Sequence, residues 1–192
     1  MNVKSTEYIV DVANKIGSKI IYISSVAAIE PVNYYGETKR DSEEIIKKTR
    51  AGWIILQPSL IVGYSPNTTN DRPFNRILKN IDAGTEVQYD NNWQFQPTWL
   101  GHISEVIDVL ITQNKINISV PIMTEDFATR FTIAKDILEN FNVKVVPVEK
   151  DKVLKDASHS GTLIDLSLPT YSYKEIVEKA VNEIKNKDKF II

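Results

Sequence analysis

Lys19-Ile20-Ile21-Tyr22-Ile23-Ser24-Ser25 leads, after a short loop, into Tyr34-Tyr35-Gly36-Glu37-Thr38-Lys39, and these two stretches decide the fold. Ile20 to Ile23 is short, apolar and rich in β-branched residues, which predicts a buried strand. Upstream, Ser5 to Ile16 places Tyr8, Ile9, Val12, Ala13 and Ile16 at the 3,4 spacing of an amphipathic helix, stopped by Gly17. A helix joined to a buried strand by a glycine turn is half of a parallel α/β unit. Downstream, Tyr34 to Thr49 reads as a helix with a charged outer face, and Trp53-Ile54-Ile55-Leu56 as a second buried strand ended by Pro58. The order helix, strand, helix, strand with short connections predicts a doubly wound α/β layer.

From Gly63 to Asp71 the composition is that of a loop. Beyond it the pattern predicts a helix over Pro73 to Ile81, a short strand near Val87, and a polar, aromatic segment from Gln88 to Trp99. Helices follow at His102 to Thr112, Phe131 to Phe141 and Tyr173 to Lys187, with strand-like runs at Ile118 to Ile122 and Val143 to Val148. The expected division is a partial α/β layer over residues 1–62 and a mixed α+β lobe over 63–192 that can return elements to the sheet.

Composition excludes several classes. The chain has 192 residues, 42% hydrophobic and 25% charged, with a formal net charge of −2, which suits an ordinary globular protein with a real core. Charges of both signs are mixed and no Lys/Arg stripe stands out, so no nucleic-acid partner is expected. No apolar run approaches the roughly 20 residues needed to cross a bilayer, and the first residues lack an apolar signal core. The absence of cysteine removes disulfides, thiolate catalysis and cysteine-bound zinc, and leaves the cytoplasm as the expected compartment. His102 and His159 read as surface or capping residues, and Asp151, Asp156 and Asp165 lack calcium-loop spacing, so no metal is expected. Trp93, Phe95 and Trp99 alternate as on a strand and read as core.

Tyr35 and Lys39 lie four residues apart, so a helix projects both from one face. A lysine ammonium near a phenol favours the phenolate, drawing a tyrosine down from about 10 toward the working pH. Such a tyrosine can exchange a proton with a carbonyl or alcohol oxygen. A serine at the carboxyl end of the neighbouring strand can hydrogen-bond the same oxygen, and ligands of open α/β sheets bind at that edge. Taken alone, that spacing usually marks a solvated face. The Ser24-Ser25 strand end before it and the run Ile54 to Gly63 after it supply the context.

With those motifs in their order, the chain resembles the extended short-chain dehydrogenases/reductases, relatives of the NAD-dependent epimerases and dehydratases, and within them the dTDP-4-dehydrorhamnose reductase branch. Asn2-Val3 to Ser25 is similar to that family's helix leading into its Ser/Thr strand, and Tyr35-Gly36-Glu37-Thr38-Lys39 to its Tyr-Gly-x-Ser/Thr-Lys segment. Gln57-Pro58-Ser59-Leu60-Ile61-Val62-Gly63 resembles the segment beside the nicotinamide, and Gln96-Pro97-Thr98 to Asp108 part of the substrate lobe. The resemblance covers most of residues 2 to 145. It implies the carboxyl-terminal portion of a Rossmann-like parallel sheet with a smaller α+β substrate lobe. It also implies that Tyr35 is the proton donor, that Lys39 is its partner and a ribose contact, and that Ser25 binds the substrate carbonyl. Ser24, Tyr35, Lys39, Pro58, Ser59 and Leu60 would contact NADPH or NADH, and Ser25 and Thr98 the substrate. The implied reaction is hydride transfer to the ketone of a nucleotide-linked 4-keto-6-deoxy sugar, with no metal.

Two departures from that pattern bear on function. Only nine residues separate Ser25 from Tyr35, where the family places a longer covering loop, so a more open pocket is expected. None of the seven glycines forms GxGxxG or GxxGxxG, the turn that holds a pyrophosphate on a helix N-terminus. At roughly 25 residues per βα unit, about three units of the family pattern are missing. The expectation is therefore an incomplete reductase, with a homodimer or a partner chain supplying the phosphate-binding half. The alternatives are a non-catalytic regulatory or scaffold subunit of the same family, or a sugar-nucleotide epimerase or dehydratase.

Overall fold

The structure is a computed structural model and describes residues 2–65, 67 and 69–190. In chain order the elements are α1 (Asn2–Ile16), β1 (Ile20–Ile23), α2 (Tyr34–Ile46), β2 (Trp53–Pro58), β3 (Ile61–Val62), α3 (Pro73–Ala83), β4 (Val87–Asp90), β5 (Trp93–Gln94) and β6 (Thr98–Trp99). They continue with α4 (Leu100–Thr112), β7 (Ile118–Ile122), α5 (Arg130–Leu138), β8 (Val145–Val148), β9 (Leu154–Lys155), α6 (Gly161–Asp165) and α7 (Tyr173–Lys185). Among the described residues no helix is long and apolar enough to cross a membrane.

The chain divides into two compact units, both discontinuous. The first comprises residues 1–59, 103–122 and 159–169, and the second residues 60–102, 123–158 and 170–192. Set beside the expected division, the first segment breaks at Ser59/Leu60, and two later stretches return to its sheet.

In the first unit β2 lies between β1 and β7, and all three strands are parallel. Ile55 of β2 packs with Val10 of α1 and Ile46 of α2, while Ile54 and Leu56, which alternate to the opposite face, are buried as well. A strand buried on both faces needs the continuous apolar run that Trp53 to Leu56 supplies. Helix α2 ends at Ile46, three residues before the sequence pattern would stop it. There Thr49 Oγ1 donates to the Ile46 carbonyl at 2.7 Å and turns the chain toward β2.

The second unit is built from two-stranded parallel pairs, β3 with β6, β4 with β8 and β5 with β9, around a core that includes Phe74, Phe95, Ile137, Leu138 and Ala180. Capping boxes start both long carboxyl-terminal helices, Thr129 with Thr132 on α5 and Ser172 with Glu175 on α7. Tyr173 donates its hydroxyl to Asp136 at 2.6 Å, which ties α7 to α5. Burial and the Asp136 carboxylate push that phenol well above its usual value, so it stays a donor.

Asp90 closes the turn between β4 and β5. Its Oδ1 accepts from the backbone N–H groups of Asn92 at 3.0 Å and Trp93 at 3.2 Å, and Lys150 pairs with its other oxygen. The Lys150 ammonium and the backbone donors hold the Asp90 carboxyl below the usual carboxylate range. A depressed folded-state value contributes stability above the unfolded value of about 3.9 and loses it as pH falls through the folded one. Asp90→Asn is therefore expected to be less stable than the unaltered chain near neutral pH, with the difference closing in acid. Urea unfolding at a series of pH values checks this, and a difference independent of pH would contradict it.

Candidate active site

At the carboxyl end of β1 the Ser24 N–H still bonds the Leu56 carbonyl at 2.7 Å, after which the chain leaves the sheet. Ser25 is extended, at φ −160° and ψ 151°, and caps the 3-10 turn Val26–Ala28 by accepting from the Ala27 N–H at 3.3 Å. A hydroxyl that accepts there still has its own proton to donate. Asn33 caps α2 in turn, taking the Gly36 N–H at 3.0 Å.

Gly36 explains how so short a loop brings α2 back to the strand end. A β-carbon at Gly36 would lie 2.4 Å from the Ala27 carbonyl oxygen and 3.2 Å from the Pro31 Cα. Only a residue without a side chain lets the first turn of α2 close against the turn that Ser25 caps. Tyr35, immediately before Gly36, is 51% exposed, and its phenol has no hydrogen-bond partner among the described residues.

Lys39 sits one helical turn beyond Tyr35. Its ammonium donates to the Ile23 carbonyl at 3.1 Å and to the Tyr22 hydroxyl at 3.4 Å, and lies 5.0 Å from the Tyr22 ring centroid. The sequence pairs Lys39 with Tyr35, whereas here the lysine spans to the strand. Ser24 is buried and turned inward, donating to Glu43 at 2.5 Å. Pro58 ends β2 in register with Ile122 and is buried, and Ser59 beside it is half-buried.

The remaining predicted residues belong to the second unit. Thr98 is buried on β6, where its N–H donates to the Leu60 carbonyl at 2.9 Å. Leu60 also borders a cavity of about 520 Å³ lined by Phe74, Tyr89, Arg76, Lys79 and Arg130. Arg76 forks onto Asp71 at 2.8 and 2.7 Å. The Arg130 guanidinium lies 5.2 Å from the Trp93 ring, with its Nε buried and unpartnered among the described residues. Burial raises the Tyr89 phenol above its usual value, outweighing Asn80, which donates to it at 2.7 Å, so it stays neutral. The lining joins an apolar wall to Arg76, Lys79 and Arg130 and to the carboxylates of Asp71 and Asp90, a mixed surface that suits a polar ligand carrying a ring. These lining residues escape a sequence reading because they are scattered over some 70 positions without a motif.

His102 corrects the expectation of a surface or capping histidine. It is buried on α4, edge-on to the Tyr171 ring at 5.0 Å, because the apolar face of the helix carries it inward. Trp93 and Phe95 pack together at 5.1 Å. Among the described residues no group of three His, Asp or Glu is placed to hold a metal ion.

A family model described as the RmlD substrate binding domain matches residues 1–172. Among solved structures, the dTDP-4-dehydrorhamnose reductase of Bacillus anthracis, in complex with NADP, superposes with a TM-score of 0.78 at 18% identity, over 95% of this chain and 72% of its own. The Yersinia enterocolitica dTDP-4-dehydrorhamnose reductase gives 0.74 at 20% identity, over 93% and 71%. The UDP-glucuronic acid 4-epimerase of Bacillus cereus, in complex with NAD, gives 0.71 at 18% identity, over 99% and 68%. At these identities the superpositions establish a shared Rossmann-like α/β fold. A comparison with curated protein sequences found no match.

The close approach at Gly36 gives a direct test. Gly36→Ala is expected to push α2 off the Ala27 carbonyl and to destabilise the chain by about 1–3 kcal/mol. Denaturant unfolding measures the loss, and a variant as stable as the original would show that the contact is loose.

Proposed function

Because the chain belongs to the RmlD substrate binding domain family, we propose that it is a cytoplasmic NAD(P)H-dependent reductase of a nucleotide-linked 4-keto-6-deoxy sugar, working with a phosphate-binding half from outside residues 1–192. The observation that carries this reading is Tyr35, a half-exposed phenol without a hydrogen-bond partner among the described residues, on a helix that Gly36 packs against the turn capped by Ser25. The donors at the carboxyl end of β1 fit a nicotinamide ribose and a substrate carbonyl. The nicotinamide, when bound, supplies the hydride.

The chain's own residues handle the oxygen. Tyr35 gives its proton to the carbonyl oxygen, and Ser25 donates a hydrogen bond to the same atom and orients it. Lys39 donates to the ribose hydroxyls. Ser24, Pro58 and Ser59 shape the cofactor side, and within the second unit the cavity bordered by Leu60, Arg130 and Tyr89 suits a ring-bearing ligand. No glycine-rich turn exists among the seven glycines to hold a pyrophosphate, which is the reason for the second component.

The edge of β1 is where that component docks. Among the described residues β1 pairs only with β2. Beside it Tyr8 (61%), Ile9, Val12 and Ile16 (72%) of α1 and Ile21 and Ile23 of β1 are exposed, a larger apolar surface than a lone domain ordinarily shows to water. Longer relatives of the same fold, of which this chain spans 68–72%, support an additional α/β segment as the occupant.

Two measurements test the reading. Titration with NADPH, followed by fluorescence, is expected to show binding once the second component is present. Tyr35→Phe should then lower turnover about 100-fold or more with little change in cofactor affinity. No binding at millimolar NADPH would favour the non-catalytic subunit. For the surface, light scattering on the chain alone should show concentration-dependent association that Ile9→Lys with Val12→Lys abolishes. A clean monomer at high concentration would count against a docking edge.

A further inference from the structure

Behind the candidate catalytic residues lies a carboxylate that none of the roles above uses. Glu43 is 5% exposed, and among the described residues no lysine, arginine or histidine pairs with it. A buried carboxylate is costly unless its oxygens are satisfied. Here Ser24 Oγ donates to Oε1 at 2.5 Å, and Gln57 Nε2 donates to both oxygens, at 3.0 and 3.1 Å.

The identity of the three partners is informative. Ser24 immediately precedes Ser25, Gln57 immediately precedes Pro58 and Ser59, and Glu43 stands one helical turn beyond Lys39 on the same face of α2. A single carboxylate therefore joins the three backbone segments that carry the proposed reacting and cofactor-contacting groups. The Lys39 bonds to the Ile23 carbonyl and the Tyr22 hydroxyl also tie α2 to β1, but neither those bonds nor the glycine contact at Gly36 reaches β2. The carboxylate does, meeting donors from β1 and β2 at once.

We propose that Glu43 is a positioning residue, which sets Ser25 and the Tyr35/Lys39 face of α2 in register with one another. The proposal rests on the reductase reading for its catalytic consequence, but not for its structural one. Glu43→Ala leaves the Ser24 hydroxyl and the Gln57 amide without an acceptor. Glu43→Gln keeps the length and one acceptor oxygen, and Gln57 can turn its own oxygen toward the new amide, so it should restore most of the arrangement.

The test is hydrogen exchange on the full chain read by mass spectrometry. Glu43→Ala is expected to speed amide exchange roughly tenfold in segments 24–28, 35–39 and 57–59, with Glu43→Gln close to the original. If Glu43→Ala does not fold, Ser24→Ala is read in the same way. Exchange that rises evenly over the first unit, or is unchanged in those segments, overturns the proposal whether or not the chain is a reductase. Where turnover is measurable, Glu43→Ala should lower kcat by up to about 100-fold at nearly constant KM for NADPH, with rescue in Glu43→Gln. A change in KM alone would also overturn it. Absence of turnover in the unaltered chain with the second component present would count against the reductase reading and leave the exchange result to decide the role of Glu43.

Discussion

Parallel pairing of β2 on both of its edges is the constraint from which the first unit follows. Ile20 to Ile23 lies in register with Trp53 to Leu56, and Ile54 to Pro58 with Ile118 to Ile122. Parallel neighbours cannot be joined by tight hairpins, so each connection must cross over a face of the sheet, and α2 is the crossover between β1 and β2. The strand ends at Gln57 and Pro58 then fall at the same level as Ser24, and the start of α2 falls beside them. The candidate site lies at that level because the register places three segments there together, before any side chain contributes chemistry.

The contribution of local chemistry is to make a very short connection between strand end and helix start. A serine cap, a 3-10 turn, an asparagine cap and one glycine occupy the positions from Ser25 to Gly36. Each satisfies a backbone group or removes a steric obstacle, so little freedom is left to the loop. This is also why Tyr35 points away from the core. The buried residues of α2 are Gly36, Ser42, Glu43 and Ile46, and Tyr35 in the first turn is half-exposed.

Most of the first unit was legible because its signals are strong and local. Apolar runs of four residues, a 3,4 helical spacing and a glycine stop give α1, β1 and β2 within a few positions. The weaker predictions share a cause, namely that they depend on partners distant in sequence. The return of Ile103 to Ile122 to the first unit, the buried ring of His102 against Tyr171, and the cavity gathered from Leu60, Arg76, Tyr89 and Arg130 have no local signature. The Ser24, Glu43 and Gln57 cluster is of the same kind. Glu43 reads as one charge among many on a solvated helix, and only the packing of α2 on the sheet turns it inward.

The orientation of Lys39 follows from the state of the β1 edge. In β1 the N–H groups of Ile20 and Ser24 face β2, so the peptide groups of Ile21 and Ile23 alternate toward the open side. A strand carbonyl on an open edge needs a donor, and a lysine within reach is a common way of supplying one while blunting the edge. The Lys39 ammonium does this at the Ile23 carbonyl, and the Tyr22 ring beneath it adds a cation–π contact that α2 cannot offer from Tyr35. The four-residue spacing of Tyr35 and Lys39 reflects only the helix that carries both residues. The strand edge competes for the same ammonium, and with the Ile23 carbonyl and the Tyr22 hydroxyl both accepting, it offers more partners than a half-exposed phenol does.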